Sequence, residues 1–251
     1  MRRVNGPTPS QAATESDRAE ERRLKLRTRQ TIARLFDRLD YRRLGPIYCE
    51  EGGGAFWKAS RGPCERLGVR LALVLLNRLK PGGRSLYVGA GVAELPMLLT
   101  ETLELGRTVE AYNLRADEVT LLNRACRGLP VRFEARDGRA AGGRFDHLWL
   151  VSVFNDPERF PELSALSYGR ANPATFDPVA FARERKAVLS LAEACLDKLT
   201  LPGLVTTSVE EIPWIVGWCA KRAVPCVVEE EDYPTAIVGD PVCFIRLGTR
   251  T

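Results

Sequence analysis

The chain has 251 residues, of which 45% are hydrophobic and 27% charged, with a formal net charge of +5 and seven cysteines. That composition excludes a fibrous or disordered chain, and its length allows one large α/β domain with an appendage. No apolar run approaches the ~20 residues that span a bilayer, and the opening Met-Arg-Arg-Val-Asn-Gly-Pro lacks a signal peptide's apolar core, so the cytoplasm is the expected compartment. Cys49, Cys64, Cys126, Cys195, Cys219, Cys226 and Cys243 stand singly. Without a Cys-x-x-Cys pair, neither a zinc cage nor a redox dithiol is expected, and no metal site is assigned. The charge is uneven: through Cys49 there are twelve Lys and Arg against six Asp and Glu. A basic arm of this kind suits either a polyanionic partner or a solvated helix face, and the absence of interleaved aromatics favours the second.

In chain order, residues 1–13 read as a disordered polar tail. From Thr14 a helix is expected, with Leu24, Thr28, Ile32, Leu35, Phe36 and Leu39 forming its apolar stripe and Gly45-Pro46 its end. The segment from Glu50 to Gly54 reads as a flexible turn before Phe56-Trp57. A second helix from about Glu65 to Lys80 stops at Pro81-Gly82-Gly83. Residues 14–82 thus form an N-terminal helical extension or lid, and 83–251 an α/β domain.

In that domain strands alternate with helices. Strands are expected at Ser85–Val88, Thr108–Leu114, Val131–Ala135, Phe145–Phe154, Leu204–Ser208, Pro225–Glu230 and Val242–Leu247, the last two antiparallel. Helices are expected around Leu95–Leu103, Asp117–Cys126, Asp177–Leu199 and Ile212–Arg222, with Asp177-Pro178 as an N-cap and first-turn proline. Asn155–Phe176 reads as irregular. The alternation predicts a doubly wound, seven-stranded, mostly parallel sheet, with ligands outside the carboxyl ends of its strands.

Leu86-Tyr87-Val88-Gly89-Ala90-Gly91-Val92-Ala93-Glu94 places a glycine turn between an apolar strand and a helix. Glycines there let a ligand approach the backbone, and the helix start offers free N–H groups. The second strand runs into Asn113-Leu114, about twenty residues on, where such folds place a ribose-binding residue. The third ends in Arg136-Asp137-Gly138, where a carboxylate can accept an adenine amino group.

On these residues the chain resembles the class I, Rossmann-like S-adenosylmethionine-dependent methyltransferases, over roughly Gly83 to Leu247. The likeness rests on Val-Gly-Ala-Gly, Val109-Glu-Ala-Tyr-Asn113, Arg-Asp-Gly, Phe145-Asp146-His-Leu-Trp-Leu and the closing hairpin. It implies S-adenosyl-L-methionine as cofactor, with Tyr87, Gly89, Ala90 and Gly91 at the methionine part. Asn113 and Leu114 would lie by the ribose, Asp137 and Gly138 by the adenine, and Ser152 to Asn155 beside the transferred methyl group. Asn155 and Asp156, at the carboxyl end of the fourth strand, are the candidates nearest the acceptor. An Asx-Pro turn is the competing reading of that segment. His147, inside the strand, reads as a packed residue.

The sequence departs from the family at three places. Tyr87 stands where an acid is usual, Ala93 where a third glycine is, and Asn113 where Asp or Glu is. Cofactor binding survives these departures as an expectation, and they motivate the alternative of a catalytically silent methyltransferase-like binding protein. Leu86 to Pro96 also resembles nicotianamine synthase, which transfers a different group of the same cofactor. A nicotinamide-binding Rossmann protein fits less well, because Glu94 occupies its sixth motif position. The near-neutral body predicts a small-molecule or peptide acceptor rather than nucleic acid. Trp57, Tyr168 and Asn172 are candidate lid or acceptor-wall residues.

Overall fold

The computed structural model describes residues 24–49, 52–235 and 240–249. The expected tail and the expected start of the first helix at Thr14 lie outside them.

The apolar stripe of the amino-terminal segment folds as two helices, α1 (Leu26–Arg38) and α2 (Tyr41–Tyr48). The break falls at Asp40, whose carboxylate accepts from the Arg43 N–H as an N-cap. Gly45-Pro46, expected to end the helix, lies inside α2. Proline removes one backbone donor there, but tertiary packing outweighs it. Leu44 is buried, and Gly45 meets Gly53 backbone to backbone, where a Cβ on Gly45 would come within 2.8 Å of the Gly53 carbonyl carbon. The next helix, α3 (Gly53–Arg78), begins twelve residues before its expected start. Gly52 precedes it with φ at +80°, and Gly53 and Gly54 belong to the helix. Trp57, expected as a lid aromatic, is buried between the rings of Tyr41, Tyr48 and Phe56 at 5.0–5.4 Å.

Beyond Gly83 the chain alternates as the sequence predicts. The elements are β1 (Arg84–Val88), α4 (Leu95–Glu104), β2 (Thr108–Tyr112), α5 (Ala116–Ala125), β3 (Phe133–Glu134) and β4 (Phe145–Leu150). Then follow α6 (Pro161–Ser167), α7 (Pro178–Leu196), β5 (Leu199–Ser208), α8 (Ile212–Lys221), β6 (Cys226–Val228) and β7 (Val242–Leu247). The seven-stranded sheet has the order β3-β2-β1-β4-β5-β7-β6, with β7 antiparallel to both neighbours. Asp177 caps α7 through the N–H groups of Val179 and Ala180. The stretch expected to be irregular holds α6, and β4 stops at Leu150, before the expected Phe154.

Strand periodicity sorts the core into two layers. Tyr87, Ala111 and Trp149 pack with α1–α5 on one face, while Leu86, Val88, Leu148 and Leu150 pack with α7 and α8 on the other. Inside the first layer lies a buried polar network. The Arg107 guanidinium bonds Glu101 Oε2 at 3.1 Å, Asp146 and Ser85, while His147 lies between Glu101 (3.2 Å) and Thr206 (2.9 Å). Burial works to raise the Glu101 carboxyl, but the contacts with His147, Ser85 and Tyr87 hold it below its ordinary range. No described helix is long and apolar enough to cross a membrane.

Candidate functional site

The strand order reverses between β1 and β4, and a cleft of about 730 Å³ opens outside the carboxyl ends of the strands at that point. Gly89 follows β1, Asn113 and Leu114 follow β2, and Asp137 and Gly138 follow β3. Ser152, Asn155 and Asp156 follow β4, and all eight line the cleft together with Gly91. Because β7 runs antiparallel, its first residue, Val242, reaches the same end. Ile47 and Tyr48 of α2 and Cys64, Leu67 and Leu71 of α3 roof it.

The glycine turn takes the shape expected of it. Gly89 has φ +74°, a conformation open to glycine. A Cβ on Gly91 would lie 2.7 Å from both Glu118 Oε1 and Tyr48 Oη, so it fits only if those side chains shift. Two expected residues are not in the lining. Tyr87 is fully buried, stacked on its β4 partner Trp149 at 5.2 Å, and its hydroxyl donates to Glu101 at 2.5 Å. Strand alternation sends it into the α4 layer rather than toward the cleft. Ala90 is also buried; its N–H donates to the Tyr112 carbonyl, and its own carbonyl accepts from Asn113.

Asn113 lines the cleft, yet its amide is engaged on both sides. Nδ2 donates to Ala90 O at 2.8 Å and to Glu118 Oε2 at 3.2 Å, and Oδ1 accepts from the Arg115 N–H at 2.8 Å. The carboxylate at this end of the cleft belongs to Glu118, in the first turn of α5, which the sequence reading missed. Its signal was an acid in the first helical turn after β2, where the helix dipole favours negative charge. Burial raises the Glu118 carboxyl, against hydrogen bonds from Tyr48 and Asn113 and the Arg115 charge at 3.8 Å. Tyr48 was missed as well. Its hydroxyl donates to Glu118 Oε1 and accepts from the Val92 N–H at 3.3 Å, tying the roof to the glycine turn. Burial and the neighbouring Glu118 push this phenol well above its ordinary range.

At the third strand, the Asp137 carboxylate accepts from Arg139 through both oxygens, and Arg159 stands 4.0 Å away. Burial works to raise it, but the Arg139 bonds hold it below its ordinary range. Beside it, Leu114 is 51% exposed, an apolar surface in the cleft wall.

At the end of β4 the backbone turns sharply. Ser152 has φ +55°, a strained value for a residue with a Cβ, and its N–H donates to Ser208 Oγ at 2.9 Å. The buried Glu211 accepts from the N–H groups of Phe154 and Asn155 and from the hydroxyls of Thr207 (3.1 Å) and Ser208 (3.0 Å). Burial pushes its carboxyl up to about 7 despite these donors. Asn155 is 1% exposed, with neither Nδ2 nor Oδ1 hydrogen-bonded among the described residues. A buried unsatisfied amide costs about 1–3 kcal/mol, which marks it as a group awaiting a partner. Asp156 accepts from the Glu158 N–H at 3.0 Å, the Asx turn expected of Asp-Pro. Tyr168 reaches the cleft, and the exposed Asn172 does not.

No family model matches the chain, and no curated protein matches it. Among solved structures, it resembles magnesium protoporphyrin IX methyltransferase from Synechocystis PCC 6803, solved with bound SAM. There the TM-score is 0.50 at 11% identity, covering 86% of this chain and 95% of that one. A methyltransferase from Pyrococcus furiosus follows at TM-score 0.46 and 14% identity, covering 73% and 83%. TrmN from Thermus thermophilus matches at TM-score 0.43 and 19% identity over 71% of this chain, which spans about half (48%) of that chain's length. At these identities the likeness is one of architecture: the chain has the Rossmann-like methyltransferase fold.

Proposed function

We propose that this chain is an S-adenosylmethionine-dependent methyltransferase acting on a small molecule or peptide. The observation that carries the reading is the roofed cleft at the strand-order reversal, into which the Gly89–Gly91 turn, the β2 and β3 ends and the orphaned Asn155 amide all open. Its volume suits a nucleoside cofactor with a small second ligand. Bound, the cofactor supplies a methyl group already activated on a sulfonium. The protein's task is then alignment and, for a protic acceptor, removal of one proton.

The residues divide that task along the cleft. Leu114 offers an adenine its apolar face, with Gly138 close by and Asp137 sharing its remaining acceptor capacity with the adenine amino group. Glu118 accepts from ribose hydroxyls, a part that Asn113 cannot play while its amide holds Ala90 and Arg115. Asn155, positioned by Glu211, faces the acceptor. The roof helices keep water from the reacting end. A small acceptor fits a cleft closed by Ile47, Leu67 and Leu71, and the charge of the domain body gives nucleic acid little purchase.

Calorimetry with S-adenosylmethionine and S-adenosylhomocysteine tests the reading, alongside mass spectrometry of nucleosides that co-purify. Micromolar binding of both is the expected result, and binding of neither at high concentration rejects it. Tight RNA binding that falls steeply with salt would reject the small acceptor. One observation favours a second reading, a silent binding protein. The Gly91 and Val92 N–H groups are already taken by Glu94 and Tyr48, as is the Asn113 amide by Ala90. Such a protein would bind neither nucleoside.

A further inference from the structure

Glu94, in the cleft wall beside the glycine turn, is a buried carboxylate that no described Lys or Arg neutralises. Its Oε2 accepts from the Gly91 N–H at 2.7 Å, and the Trp149 indole also donates to it. The groups that face it from the surrounding elements are Tyr48 of α2, Cys64 of α3, Tyr87 of β1 and Glu118 of α5, none of them basic. Among the described residues no Lys or Arg pairs with it; Arg115, which lines the same cleft, pairs with Glu118 instead. Burial, reinforced by Glu118, pushes the carboxyl up to about 7. A buried charge is ordinarily paired, and a buried carboxylate that opens on a ligand cleft leaves that pairing to the ligand. The same cleft holds the unpartnered Asn155 amide, an independent sign that its wall is built for a ligand and not for solvent.

We infer that Glu94 receives the α-ammonium group of the cofactor's amino-acid end. The inference rests on the cofactor reading above and names the residue that does, on the helix side of the turn, what Tyr87 cannot do from inside the sheet. The Gly91 N–H fixes one carboxylate oxygen, so the charge is held at the turn and needs no rearrangement to meet the cation.

Two nucleosides separate this from a structural role. S-adenosylhomocysteine carries the ammonium, and 5′-methylthioadenosine lacks the whole amino-acid end. Titrated calorimetrically into the full chain, the first should bind about tenfold more tightly at pH 8 than at pH 6, as Glu94 ionises. Methylthioadenosine should change by less than about twofold over that range. Glu94→Gln should weaken S-adenosylhomocysteine about tenfold or more at pH 8 and erase its pH dependence, with methylthioadenosine affinity kept. Equal weakening of both nucleosides, or of neither, overturns the inference, as does a wild-type pH response shared by both. Binding of methylthioadenosine without any preference for S-adenosylhomocysteine overturns it while sparing the cofactor reading. Binding of neither by the wild-type chain removes both.

Discussion

The side chain of Asn113 donates to the carbonyl oxygen of Ala90 at 2.8 Å, across the gap between the end of β2 and the glycine turn after β1. That bond clamps the turn from beneath with a donor, which a carboxylate lacks. Asn113→Asp would set a negative charge against the Ala90 carbonyl and beside Glu118. The substitution is expected to cost about 1–3 kcal/mol of stability and to weaken cofactor binding. Chemical denaturation and calorimetry on the same variant check both. A gain in affinity would show that residue 113 reaches the ribose after all.

Gly91 tests the fit of the turn to its roof. Gly91→Ala places a methyl group 2.7 Å from both Tyr48 Oη and Glu118 Oε1. Both are ends of side chains and can retreat, but only by breaking the Tyr48–Glu118 bond. The variant should fold with a loss of about 1 kcal/mol and should bind nucleoside at least tenfold more weakly. Tyr48→Phe breaks the same bond without the clash and should reproduce the larger part of that loss.

The carboxyl of Glu211 sits at about 7 when folded, against an ordinary 4.5. Between those values the folded chain binds more protons than the unfolded one, so this group makes stability fall as pH rises through the window, with little change above it. Glu211→Gln removes the titration and retains an acceptor for the Phe154 and Asn155 N–H groups. Melting curves from pH 5 to 8 should show a shallower decline for the variant than for the wild type. A steeper one would mean that the ionised form is the one the fold prefers.

Arg107 is the charge around which the buried network forms. With its side chain and that of Glu101 fully buried, Arg107→Leu leaves Glu101 and Asp146 without their common cation. Removing one partner of such a pair costs about 3–5 kcal/mol. Urea denaturation should register that loss, whereas Arg84→Leu, at a half-buried pair with Glu110 that keeps one face in solvent, should cost less, about 1 kcal/mol.

The sheet was readable because strand and helix periods alternate cleanly from Ser85 onward, and a largely apolar run such as Phe145–Phe154, broken by few polar residues, reads as a central strand. The glycine turn was readable for the same local reason. What escaped is what depends on distant parts of the chain. Tyr48 and Glu118 are 70 residues apart and meet only when α2 packs over α5. Gly45-Pro46 spells a helix end, and only the contact with Gly53 explains why the helix continues. Tyr87 follows the strand rule strictly: its neighbours Leu86 and Val88 face one layer, so it must face the other. Reading it by motif position placed it at the ligand, and reading it by pleat would have buried it.

The backbone contact between Gly45 and Gly53 sets a mechanical gauge for the cleft. Three residues past Gly45, Tyr48 touches the glycine turn, so any methyl group added at the crossing acts as a shim between α2 and α3. Gly45→Ala would push α2 from α3 and carry the Tyr48 phenol with it, with no lining residue substituted. The aperture could thus be retuned from outside the site, and designers wishing to admit a bulkier second ligand should start at that crossing, leaving the strand ends as they are.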